Sequence, residues 1–197
     1  HVAQRFDATP DWPSEPIRNP YKGLRAFAEV DSADFFGREA LVGNLLNRLA
    51  EDDPLKRFLA VVGPSGSGKS SVVRAGLIPA LRRGELAGSD EWFIVEMLPS
   101  THPLEELEIA LMRAAIAPQH GLSEQLKRDA RGLIRAASLI LPPDTELVLV
   151  IDQFEEAFML AENPDETRQL LDLIVMAVTD LRSRVRVIVT LRADFYD

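Results

Sequence analysis

The sequence predicts an α/β fold, a three-layer sandwich in which a parallel sheet is covered by helices on both faces. Four short apolar runs, near 58–62, 92–98, 147–151 and 185–191, alternate with stretches of helical period, the pattern of βαβ units and right-handed crossovers. The run Leu147-Val148-Leu149-Val150-Ile151 contains no polar residue, as in a strand buried on both faces of a parallel sheet. The first, third and fourth runs end in a glycine-rich turn, in Asp152 and in Arg192. All three features therefore fall on the carboxyl edge, where such sheets take their ligands.

At 197 residues and 46% hydrophobic content the chain suits one domain with a sizeable core and an appended arm. The proline-containing segment 1–20 (Pro10, Pro13, Pro16, Pro20) reads as an extended linker from something upstream, with 21–197 as the domain proper. No apolar run approaches a membrane span, and the first residues lack a signal-peptide core. Cysteine is absent, which removes disulfides and thiolate metal sites and is compatible with the cytoplasm. A net charge of −9 argues against a broad nucleic-acid surface. His1, His102 and His120 are scattered and give no metal-ligand spacing.

Within the domain, 21–56 reads as a strap (Tyr21, Leu24, Phe27, Phe35, Phe36) followed by a helix, and 57–197 as the αβ core. The helix opens at Gly37-Arg38-Glu39, carries Leu41, Val42, Leu45, Leu46 and Leu49 on one stripe, and stops at Asp53-Pro54. The first strand leads into Gly63-Pro64-Ser65-Gly66-Ser67-Gly68-Lys69-Ser70-Ser71, and a helical pattern follows from Val72 to Leu81. After the second strand, Thr101-His102-Pro103 starts a helix. Gly121 breaks it, and another runs from Ser123 to Leu141. After the third strand, Asn163-Pro164-Asp165-Glu166 supplies a capping side chain, a first-turn proline and acids at the positive helix end.

The glycine-rich stretch has G-x4-G-K-[ST] spacing between a strand and a helix, which is the phosphate-binding P-loop. Its glycines let the backbone approach phosphate oxygens, and the N–H groups of the loop and first helical turn form an anion site. Lys69 is expected to reach the β- and γ-phosphates, and Ser70 to bind Mg²⁺. Asp152, ending a hydrophobic strand, is the expected Walker B acid for the same cation; otherwise it is an acid in a strand-ending turn. Glu155 or Glu156 is expected to orient or deprotonate an attacking water, the alternative being two solvated acids at a helix start. Arg192 either contacts the γ-phosphate or simply pairs with Asp194.

Taken in order, Gly37-Arg38-Glu39, the P-loop, the segment 149–156 (LVIDQFEE) and the segment 189–196 (VTLRADFY) resemble the novel STAND NTPases, relatives of AAA+ and NACHT ATPases that act as signal-transduction switches. The resemblance spans about 19–197 and implies a P-loop NTPase domain that uses ATP or ADP with Mg²⁺. It further implies that Gly37, Arg38 and Glu39, helped by Phe36, lie by the adenine and ribose, and that Arg192 is the sensor arginine. In such switches nucleotide state controls self-association and effector activation, with an effector domain upstream and sensor repeats downstream. Two departures stand out. The segment stops just after the fourth strand, short of a fifth strand, helical lid and winged-helix region, and Gln153 replaces the glutamate that standard AAA+ ATPases carry beside the Walker B acid.

Competing readings are a nucleotide-binding scaffold without appreciable turnover, and a P-loop kinase or GTPase. The last is disfavoured because no Asn-Lys-x-Asp guanine motif occurs. A transporter-type Leu-Ser-Gly-Gly-Gln signature is also absent.

Overall fold

A computed structural model describes residues 26–51, 56–115 and 120–195. Segment 1–20, Tyr21 and Leu24 of the strap, Asp53-Pro54 and Tyr196 lie outside them. The four expected strands form one all-parallel sheet: β1 (Phe58–Gly63), β2 (Phe93–Met97), β3 (Leu147–Ile151) and β4 (Val185–Arg192), in the order β1-β4-β3-β2. β4 thus sits between β1 and β3, with Arg192 in register with Gly63 at the start of the P-loop.

Alternation along the strands divides the core in two. Leu147, Leu149 and Ile151 join Val185, Val187 and Val189 on one face. There they pack under α2 (Pro103–Ala114), α3 (Leu122–Arg128), α4 (Gly132–Ile140) and α6 (Pro164–Thr179). Val148, Val150 and Ile188 point the other way, against α1 (Glu39–Ala50) and the helix after the P-loop. Every residue of β3 is buried, as its wholly apolar composition demands. Each fully buried Leu or Ile contributes about 1.5–3 kcal/mol, so the two layers anchor the sheet from both sides.

The helix after the P-loop is α-helical over Lys69–Ser71, π-helical over Val72–Leu77 and α-helical again over Ile78–Arg82. Leu77, Ile78 and Leu81 are its buried anchors. Gly76 lies in the π stretch, where a Cβ would come within 2.6 Å of Val42 Cγ2 and 3.2 Å of the Phe35 ring. The missing side chain lets α1 and the strap approach closely. The strap itself forms a 3-10 turn (Glu29–Asp34), with Phe27 and Phe35 rings 5.7 Å apart and Glu29 paired to Arg82 at 2.6 Å. It packs over the P-loop helix, and on α1 Leu46 and Leu49 turn inward while Leu41 is exposed.

One expected helix is two. The segment 123–141 breaks at Asp129-Ala130-Arg131 into α3 and α4, which pack on each other. A Cβ on Gly132 would sit 2.3 Å from the Gln125 carbonyl oxygen, so the chain can double back only because that residue is glycine. Arg135 then ties the corner, reaching Gln125 Oε1 and Asp129 Oδ1 at 2.9 Å each.

Candidate functional site

The carboxyl edge of the sheet opens into a cleft of about 610 Å³. Its floor comes from the P-loop (Ser65, Gly66, Gly68, Lys69, Ser70, Ser71) and its walls from Gln153, Glu155, Glu156, Thr190 and Arg192. Ala26 and Phe27 of the strap and the apolar pair Met159 and Leu160 complete the rim. Gly66 and Gly68 hold φ of 72° and 88°, a left-handed backbone that any Cβ would strain. Lys69 Nζ folds back to donate to the Gly63 and Pro64 carbonyls, both at 2.9 Å. Ser67 closes the turn by donating its N–H to Pro64 O at 3.2 Å.

Ser70 and Asp152, brought together from positions 82 residues apart, meet directly: the Ser70 hydroxyl donates to Asp152 Oδ1 at 2.7 Å. Thr190 donates to the same oxygen at 2.6 Å, so three elements converge on one carboxylate. Asp152 is buried, at 2% exposure, and its second oxygen faces Arg74 Nη2 at 3.3 Å. A hydroxyl and a carboxylate are hard oxygen donors, and this pair at the foot of a phosphate-sized loop suits Mg²⁺. Among the described residues no three His, Cys, Asp or Glu side chains gather to hold a metal. An ion here would complete its shell with water and phosphate oxygens, as Mg²⁺ habitually does.

Gln153 follows with φ of 53°, uncommon for a side chain of its size. The turn is held by Gln153 N–H to Thr190 Oγ1 at 2.9 Å and Phe154 N–H to Thr190 O at 2.9 Å. It drives Phe154 inward, edge-on to Phe158, and sets Glu155 and Glu156 along the cleft, as the N-cap and first residue of the short helix α5 (Glu156–Met159). Glu155 is nearly buried and faces the Arg192 amide at 3.4 Å. Burial, followed by the neighbouring charges of Glu155 and Asp152, raises the Glu156 carboxyl above its usual range. Arg192 is paired with Asp194 at 2.6 Å, which holds the Asp194 carboxyl below its usual range.

Residues 20–197 match the family described as Novel STAND NTPase 1. The chain belongs to this family. Among curated proteins no match is found. As a STAND NTPase module it has the expected α/β architecture, and none of its described helices is long and apolar enough to cross a membrane.

Within this STAND module P-loop residues, Glu155, Glu156 and Arg192 line the cleft and Asp152 lies buried against Ser70, whereas Phe36, Gly37 and Arg38 do not line the cleft. Phe36 is 77% exposed, and Arg38 and Glu39 border a separate hollow beside Gly76. The Phe35 ring lies beside Gly76 and borders the same hollow as Arg38 and Glu39. The strap reaches the cleft earlier in the chain, where the Phe27 N–H donates to Ser71 Oγ at 3.1 Å. Three residues of the cluster around Asp152 were not singled out as functional from sequence: Thr190, Arg74 and Glu96. Thr190 had a legible signal, a hydroxyl two residues before the strand-ending arginine. Arg74 and Glu96 had none, because each reads as an ordinary helix or strand polar residue.

Proposed function

We propose that this module binds ATP with Mg²⁺ in the cleft and works as the nucleotide-controlled switch of a larger signalling protein. The observation that carries the reading is the Ser70–Asp152 hydrogen bond at the foot of the P-loop, which joins the hydroxyl and the carboxylate suited to one cation. Lys69 exchanges its two carbonyl partners for phosphate oxygens, and the loop N–H groups between Ser65 and Ser71 cradle the phosphates. Ser70 and Asp152 hold Mg²⁺, which supplies charge neutralisation on the phosphate oxygens. Glu155 or Glu156 orients and deprotonates the attacking water from the cleft wall. Arg192 leaves Asp194 for the γ-phosphate and so reports its presence. Nucleotide-dependent order along this edge then biases self-association and the output of upstream effector and downstream sensor domains. The cytoplasm is the compartment that fits ATP as ligand.

Calorimetry with ATP–Mg²⁺ tests the reading. The parent should bind, and Lys69→Ala should lose most of the affinity while staying folded, its melting temperature lowered only by the loss of the two carbonyl hydrogen bonds. Equal affinity in the folded variant overturns the phosphate site. GTP in competition reports base choice, with ATP expected to bind more tightly.

A second reading, a nucleotide-holding scaffold with little turnover, draws on one observation. The residue beside the Walker B acid is Gln153, locked by its backbone to Thr190, so no carboxylate stands at that position. Single-turnover cleavage of bound ATP separates the two.

A further inference from the structure

Of the cations on the helix after the P-loop, Lys69 lines the cleft, Arg82 pairs with Glu29 of the strap, and Arg74 turns to the sheet. Arg74 sits in the π-helical stretch Val72–Leu77, and its guanidinium spans two acids, one on β2 and one just past the end of β3. Nε donates to Glu96 Oε2 at 2.8 Å, and Nη2 faces Asp152 Oδ2 at 3.3 Å. β2 and β3 run side by side, with Glu96 in register with Val150 and the Asp152 N–H donating to Met97 O at 3.0 Å. The two acids are therefore fixed relative to one another by the sheet, and Arg74 lies between them. The oxygens of Asp152 are divided: Oδ1 is turned to Ser70 and Thr190, Oδ2 to Arg74.

We infer that Arg74 is the counter-charge that keeps Asp152 from holding a divalent cation without nucleotide, and that Glu96 is the second acid that retains Arg74 when the cation arrives with the phosphates. The inference rests on Asp152 being the cation-holding acid. A cation beside Oδ1 would meet a nearby positive guanidinium, and like charges at such separations repel strongly in a partly buried site. Ser70 and Asp152 are the proposed protein donors, and Arg74 offsets the one carboxylate between them, while Lys69 and Arg192 line the cleft together with Glu155 and Glu156. Nucleotide phosphates restore the negative charge, so cation and nucleotide bind together. Glu96 holds the shorter contact, and this bias lets Arg74 give up Asp152 without becoming an unpaired charge. Arg74 is a positioning residue: it acts through Asp152, from the side of a second hollow that Glu96 shares.

The test uses Mn²⁺ alone, without nucleotide, titrated into the protein and followed by electron paramagnetic resonance. Arg74→Met should bind Mn²⁺ at least roughly tenfold more tightly than the parent. Arg74→Lys, which keeps the charge, should stay near the parent, and adding Asp152→Asn to Arg74→Met should remove the gain. If Arg74→Met does not fold, Arg74→Gln takes its place. No gain, an equal gain in Arg74→Lys, or a gain that survives Asp152→Asn overturns the assignment. In a second arm, Glu96→Gln should cut the increase in ATP affinity that Mg²⁺ confers by roughly three- to tenfold, because Arg74 is left with Asp152 as its anchor. An unchanged increase also counts against it. If the parent binds no ATP the proposed function fails, and the Mn²⁺ arm still decides the role of Arg74.

Discussion

Thr190 Oγ1 donates to Asp152 Oδ1 at 2.6 Å and accepts the Gln153 N–H at 2.9 Å, so one hydroxyl fixes both the acid and the turn that follows it. Thr190 is 1% exposed. Thr190→Val keeps the shape but leaves the part-buried Gln153 N–H without its acceptor and the buried Asp152 carboxylate short of a donor. The expected cost is about 1–3 kcal/mol of stability by chemical denaturation, with Thr190→Ser much closer to the parent.

Asp152 and Glu155 should fail in different ways. Asp152→Asn should weaken the Mg²⁺-dependent part of ATP affinity, because an amide is a poorer ligand for a hard cation. The same change turns an amide N–H₂ or a neutral oxygen toward Arg74, so a lower melting temperature should accompany it. Glu155→Gln should keep nucleotide bound and slow single-turnover cleavage by roughly 10²- to 10⁴-fold if it is the base. If Glu156→Gln shows that loss instead, the base is Glu156. Full activity in both removes Glu155 and Glu156 from the cleavage step.

Glu156 also makes a pH-dependent contribution of known sign. Its folded-state carboxyl titrates above the usual value, chiefly through burial and then through Glu155 and Asp152. Between the unfolded and folded titration points the folded state binds more protons, so stability falls as pH rises through that window. Its favourable share is complete below the ordinary carboxylate range and lost above the raised value. Comparing parent and Glu156→Gln by denaturation from acid to neutral pH should show the variant gaining on the parent as pH rises. A constant difference would leave Glu156 without this role.

Gly132→Ala tests the corner between α3 and α4. Helix propensity alone favours alanine by about 1 kcal/mol. The new Cβ would meet the Gln125 carbonyl oxygen at 2.3 Å and Leu126 Cα at 2.8 Å, and backbone atoms cannot step aside as a side-chain tip can. Overpacking of this kind costs typically about 1–3 kcal/mol, so a net loss of melting temperature is expected.

The sequence by itself determined the fold class, the strand positions and the strand–glycine turn–helix unit of Gly63–Ser71, because these rest on local periodicity and on spacing within one unit. It also placed Asp152 and Arg192 on the correct edge, since a residue that follows a parallel strand must emerge there. The α3–α4 break was not legible, as the clash that makes Gly132 necessary is with Gln125 across a corner. Strand order was likewise a tertiary matter: only packing puts β4 between β1 and β3, where Thr190 can reach Asp152. Only the tertiary structure shows that Ala26 and Phe27, rather than Phe36–Arg38, border the cleft. Arg74 and Glu96 join the site because a π-helical turn and an adjacent strand bring them within reach of Asp152, and contacts between separate elements have no period that a linear sequence can display.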